Sequence, residues 1–165
     1  MIRRAVVTVP AVSFIRGDEF DPPANRRLTA SFSLTNDRSD PVVQLAGTLR
    51  SQVPSVAESL HFVHGFRSAC EQRGRVMPAG LVVRATSQIP VDEHAGISAA
   101  AVVAGVAAAN ALLGLGLGDH DLGNLSVGVL TGRPNVAHSA LTKLAQVIAS
   151  HRVTIHHDCE DDRVS

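Results

Sequence analysis

The order of patterns along the chain predicts an α+β domain. It would be a two-layer sandwich, a mixed or antiparallel sheet with helices on one face. Three observations carry this expectation. Residues 28–34 and 81–85 alternate apolar with polar or neutral side chains, as half-buried strands do. Residues 55–73 place apolar side chains at three- and four-residue steps, as an amphipathic helix does. Residues 98–113 are apolar nearly all round, so a helix there must be covered on most sides.

The elements follow in order. Residues 3–9, Arg-Arg-Ala-Val-Val-Thr-Val, read as a strand stopped by Pro10. Residues 16–27 hold Gly17, Pro22 and Pro23 and read as a polar loop. Leu28, Ala30, Phe32 and Leu34 mark the inward face of a second strand. Asn36 to Asp40 is a turn, residues 41–45 a third strand and residues 47–54 a loop. Ser55 is placed to cap the following helix and Gly74 to end it. A strand over 81–85 precedes a helix over 98–113 that ends at Gly114. The glycine-rich run 114–118 is a turn rather than a dinucleotide fingerprint, because it follows a helix and not a strand. A short helix over 119–125, a helix over 135–150 and a last strand over 153–156 complete the expectation. One domain is expected over residues 1–157, with a polar, frayed tail at 158–165.

Composition narrows the function classes. The chain has 165 residues, 45% of them hydrophobic, enough for one core. Its 15 basic and 15 acidic residues balance, and Trp and Tyr are absent. Neither a basic footprint nor a stacking platform for nucleic acid is present. The apolar run at the N-terminus is too short for a signal peptide. The Ala/Gly-rich stretch 97–117 reads as a core helix rather than a membrane span. Cys70 and Cys159 read as reduced thiols. A cytoplasmic protein with neither nucleic-acid nor membrane partners is expected.

Four motifs, in order, resemble the GHMP kinases, and homoserine kinase in particular. Val7-Thr8-Val9-Pro10-Ala11-Val12-Ser13, continuing to Gly17, Phe20 and Asp21, is similar to the opening pattern Val-x-Val-Pro-Ala-x-Ser-x-Asn-x-Gly-x-Gly-Phe-Asp. Pro90, Gly96, Ser98, Ala99 and Ala100 fall in register with the phosphate loop Pro-x-Gly-x-Gly-Leu-Gly-Ser-Ser-Ala-Ala. Ala108-Ala109-Asn110, with Leu112 and Gly114, resembles Ala-Ala-Asn-x-Leu-x-Gly. Asn135-Val136-Ala137 resembles the end of His-x-Asp-Asn-Val-Ala. The resemblance covers most of the chain. It implies the N-terminal fold of these kinases, which is shared with a small-subunit ribosomal protein domain.

It also implies roles. Gly96, Ser98 and Ala99 would bind nucleotide phosphate at a helix start, with ATP and Mg²⁺ as cofactors. Asp21 and Asn135 would contact a homoserine-like substrate. Ser98 and Asn124 would be the metal contacts, Asn124 standing nearest the family's Mg²⁺-binding glutamate. Each residue has a plainer reading: Ser98 and Asn135 as helix caps, Asp21 as a turn former. The departures are specific. Asp92 and His94 replace loop glycines, Ile97 replaces a serine, and Pro134 replaces an aspartate. Carboxylates facing a triphosphate repel it, so weak or absent ATP binding is expected. No residue is assigned as the catalytic base.

Three functional readings follow. The first is ATP-dependent phosphoryl transfer to a small hydroxyl compound, with impaired chemistry. The second keeps the fold for binding a small molecule or partner, without transfer or cofactor. The third is a metal-dependent hydrolase built on Asp119-His120-Asp121, His156-His157-Asp158-Cys159 or Asp92-Glu93-His94. None of these has a His-Glu-x-x-His spacing, and solvated loops explain them more simply. His61 and His64 share a helix face and read as surface histidines or half of a metal site. The family's second domain is expected to be missing. A homodimer, or a partner chain supplying that half, is therefore expected.

Overall fold

The computed structural model describes residues 2–10, 27–35, 40–47, 56–87, 97–131 and 154–159. Five strands form one mixed sheet: β1 (Ile2–Pro10), β2 (Arg27–Leu34), β3 (Val42–Gly47), β4 (Leu81–Ser87) and β5 (Thr154–Cys159). Their order is β3-β4-β2-β1-β5. The β1/β2, β1/β5 and β2/β4 pairs are antiparallel, and β3/β4 is parallel. A parallel pair cannot be joined by a hairpin, and here helix α1 (Val56–Gln72) lies in the connection. Helices α2 (Ile97–Leu113) and α3 (Asp119–Thr131) follow β4.

Alternation decides which face of the sheet is covered. Ala5, Val7 and Val9 of β1, Leu28, Ala30 and Phe32 of β2, and Leu81, Val83 and Ala85 of β4 are buried. Register aligns them in rows, Ala5–Phe32–Val83 and Val7–Ala30–Ala85, so one face is a continuous apolar floor. The helices cover this floor, and α2 packs on β1 and β2 and against both other helices. Ala100 to Ala109 are all buried, which fulfils the expectation of a helix enclosed on every side. The opposite face carries Arg4, Ser31, Gln44 and Arg84. Arg4 Nε donates to Ser31 Oγ (2.9 Å) and Arg84 Nε donates to Gln44 Oε1 (3.0 Å).

Phe32 ties the layers together. Its ring lies 6.2 Å from that of Phe62 and 6.1 Å from that of Phe66, and these two sit one turn apart on α1. Where α1 crosses α2, glycines let the backbones touch. A Cβ on Gly65 would lie 2.5 Å from the Val102 carbonyl oxygen. A Cβ on Gly105 would collide with the Phe62 carbonyl oxygen and lie 2.9 Å from the Phe66 amide nitrogen.

Gly74 (φ 64°) and Gly114 (φ 58°) end α1 and α2 in the left-handed conformation, as expected of C-terminal caps. Behind Gly74, the Arg75 amide donates to the Cys70 carbonyl (2.9 Å) and the Gly74 amide to the Glu71 carbonyl (3.0 Å). Behind Gly114, the Leu115 amide donates to the Asn110 carbonyl (3.2 Å). The side chain of Asn110 then clasps Leu117: Nδ2 donates to its carbonyl (3.1 Å) and Oδ1 accepts from its amide (2.9 Å). Arg73 and Arg75 donate to the carbonyls of Gly116 (3.1 Å) and Leu113 (2.9 Å). The α2–α3 turn is thus held from both sides.

Two elements run furthest past their expected ends. Helix α3 runs to Thr131 rather than ending near 125, because Leu122 and Ser126 lie buried along one side and Val129 packs on the core. Strand β5 runs through Asp158 and Cys159, which the sequence pattern assigned to a frayed tail. Its backbone pairs with β1 through Arg4↔Asp158 and Ile2↔Cys159, and ladder pairing does not require apolar side chains. The expected helix over 135–150 and the loop 88–96 lie outside the described residues.

Candidate functional site

The central helix starts where the sheet delivers it. Strand β4 ends at Ser87, and α2 begins at Ile97. Ser98 and Ala99 fall in the first turn of α2, where backbone amides have no intrahelical acceptor. No acidic residue stands in that turn. The first-turn amides and the positive end of the helix dipole favour an anion. Gly96, Asp92, His94, Asp21 and Asn135 lie outside the described residues, so of the expected phosphate and substrate contacts only Ser98 and Ala99 are placed.

Asn124 is placed on α3, on its exposed side with His120 and Asp121. Leu122 and Ser126 face the core instead, and the Ser126 hydroxyl donates to the Leu122 carbonyl (2.7 Å). The structure therefore puts Ser98 at the start of one helix and Asn124 on the solvent side of the next. Magnesium prefers carboxylates and water in an octahedral shell. A serine hydroxyl and an exposed carboxamide are neutral donors, and among the described residues no three His, Cys, Asp or Glu side chains come together. The described donors do not fit a protein-held Mg²⁺.

One titratable group of α1 differs from the sequence expectation. His61 is half-buried rather than on the surface, and its Nδ1 is buried without a hydrogen-bond partner. Burial, and secondarily the charge of His64 one turn on, holds its pKa below the usual 6.5. Cys70 is fully buried, and burial pushes its thiol up while Arg75 opposes the shift. Such a thiol is a packing group and not a nucleophile. The Asn110 clasp is a further role that spacing alone did not disclose, since its partner Leu117 lies across a turn.

No family model matches the chain, and no curated protein matches it. Solved structures do. The chain is similar to homoserine kinase from Cytophaga hutchinsonii, with a TM-score of 0.62 and 22% identity over 85% of this chain and 45% of that one. It is similar to mevalonate diphosphate decarboxylase from Staphylococcus aureus, with a TM-score of 0.56 and 15% identity over 80% of this chain and 42% of that one. It is also similar to phosphomevalonate kinase from Streptococcus pneumoniae, with a TM-score of 0.54 and 15% identity over 96% of this chain and 49% of that one.

The fold is that of a GHMP-kinase N-terminal domain.

At these identities the likeness concerns the fold, and the chain spans about half the length of the structures it matches. Among the described residues no helix is long and apolar enough to cross a membrane.

Proposed function

We propose that this chain is a phosphate-binding, phosphoryl-transfer domain of the GHMP-kinase kind, acting on a small hydroxyl compound similar to homoserine. The observation that carries the reading is the start of α2. A helix N-terminus free of acidic side chains follows a central strand of a GHMP fold, and Ser98 and Ala99 occupy its first turn. Gly96 and the amides of Ser98 and Ala99 would hold phosphate oxygens, and Asp21 and Asn135 would orient the substrate hydroxyl. Bound ATP would supply the transferred group. The chain's own part is positioning, which accounts for most of the catalysis in such reactions. A homodimer, or a partner chain, would complete the site, and the compartment would be the cytoplasm.

A second reading keeps the pocket and drops the chemistry. It is favoured by Asp92 and His94 in the loop and by the exposed Asn124 where the family carries a carboxylate. Phosphorus NMR of the chain with Mg²⁺·ATP and homoserine separates the two. Phosphohomoserine that disappears in Ser98→Leu and Asn135→Ala supports transfer. Homoserine binding by calorimetry without product supports the second reading. Neither binding nor product contradicts both.

A further inference from the structure

The register of the sheet gathers several chain ends at one end of the molecule. Arg4 of β1 stands opposite Ser33 of β2, and Leu34 stands opposite Leu81, the first residue of β4. Cys159, the last residue of β5, stands opposite Ile2, the first of β1, at that same end. Residues 73–80 carry the chain from α1 to Leu81, so α1 closes towards this end as well. Helix α2 packs on β1 and lies beside β5, and its close is bound to that of α1. Arg75 Nη1 donates to the Leu113 carbonyl (2.9 Å) and Arg73 Nη2 to the Gly116 carbonyl (3.1 Å).

Both arginines are exposed. A guanidinium carries five N–H donors in a fixed fork, and each carbonyl bond engages one nitrogen. The bond also holds the head in place. Two positive charges are thereby fixed on one turn, with further donors able to take a carboxylate in paired, parallel hydrogen bonds. Capping of the helix ends accounts for the charges being there. The chain itself carries the complement: Glu160, Asp161 and Asp162 follow Cys159 directly. These three lie outside the described residues. Three extended residues span roughly 10 Å, and packed layers lie about 10 Å apart. Carboxylates leaving the end of β5 therefore come within reach of the turn that the arginines brace.

We infer that the acidic segment 160–162 docks on Arg73 and Arg75 and straps the end of β5 to the α2–α3 turn. An isolated exposed ion pair contributes little, because two long side chains must be ordered for one contact. Here the guanidiniums are already ordered by their carbonyl bonds, and three consecutive carboxylates are set against two of them, which makes a network rather than a pair. The strap depends on charge, so salt weakens it. The inference is independent of phosphoryl transfer and of the proposed phosphate site, which lies at the opposite end of α2.

The test is an amide NMR comparison of the full chain at low salt and at about 1 M salt, where the Debye length is about 3 Å. Heteronuclear NOEs of residues 160–162 should match those of β5 at low salt and fall towards zero at high salt. They should fall in the same way at low salt in the Arg73→Gln/Arg75→Gln double variant. Asp161→Asn/Asp162→Asn, which alters no residue of the described fold, should also release the segment. Low NOEs at 160–162 in the unaltered chain at low salt would overturn the inference without any variant. So would high NOEs that survive high salt or the loss of both arginines. Restraint that appears only as protein concentration rises would place the segment on a second copy of the chain, and would overturn the inference too.

Discussion

Gly105 shows how one residue governs the packing of two helices. Alanine is normally the better helix former, by about 1 kcal/mol. At this position the added Cβ meets the backbone of Phe62 and Phe66, which cannot rotate away. Overpacking should win, and Gly105→Ala should lower stability by about 1–3 kcal/mol in urea unfolding. Asn110→Ala should cost about 1–3 kcal/mol, because it leaves the part-buried amide and carbonyl of Leu117 without their side-chain partner. Cys70 gives a chemical check on burial. Its thiol is enclosed and its pKa is raised by burial, so a thiol reagent at neutral pH should modify it in denaturant and spare it in the native chain. Mass spectrometry of the Cys70 peptide reads the difference directly. Rapid native labelling would contradict the packing described.

Elements were legible where local pattern and burial agree. The alternation in β2 and β4 was readable because a period of two fits only a strand, and the enclosed α2 because its apolar run is too long for a strand. The extent of α3 was not. Gly123 and Gly128 weaken the helical pattern, and only the burial of Leu122 and Ser126 against the other helices outweighs their propensity cost. The end of β5 was hidden for the opposite reason, since polar Asp158 looks like tail until β1 supplies the backbone partner. Of the site, the position of Ser98 at a helix start was legible from the strand–loop–helix order. The half-burial of His61 was not, because its spacing from His64 shows a shared helix face but not its depth. The start of α2 yields an element-scale prediction. Ser98→Glu puts a fixed negative charge at the positive end of the helix dipole. It should abolish phosphate-ion binding while leaving the far-UV spectrum of the chain unchanged. Retained phosphate binding would remove this helix end from the proposed site.

At the scale of the molecule, one core joins the layers. Phe32 from the sheet and Phe62 and Phe66 from α1 share a cluster with the apolar length of α2. A single core implies one cooperative transition. Unfolding followed by circular dichroism and by thiol exposure at Cys70 should therefore coincide. Phe32→Ala should shift both together, at a cost of about 3–5 kcal/mol. The functional account rests on this core presenting the start of α2 to a phosphate. An amide-resolved NMR titration with ATP, followed at Gly96, Ser98 and Ala99, tests that most directly. Saturable shifts confined to those amides and their loop, with an affinity in the millimolar range because Asp92 and Glu93 oppose a polyanion, are the predicted result. Absence of any shift at those amides, or saturation at micromolar ATP, would contradict it.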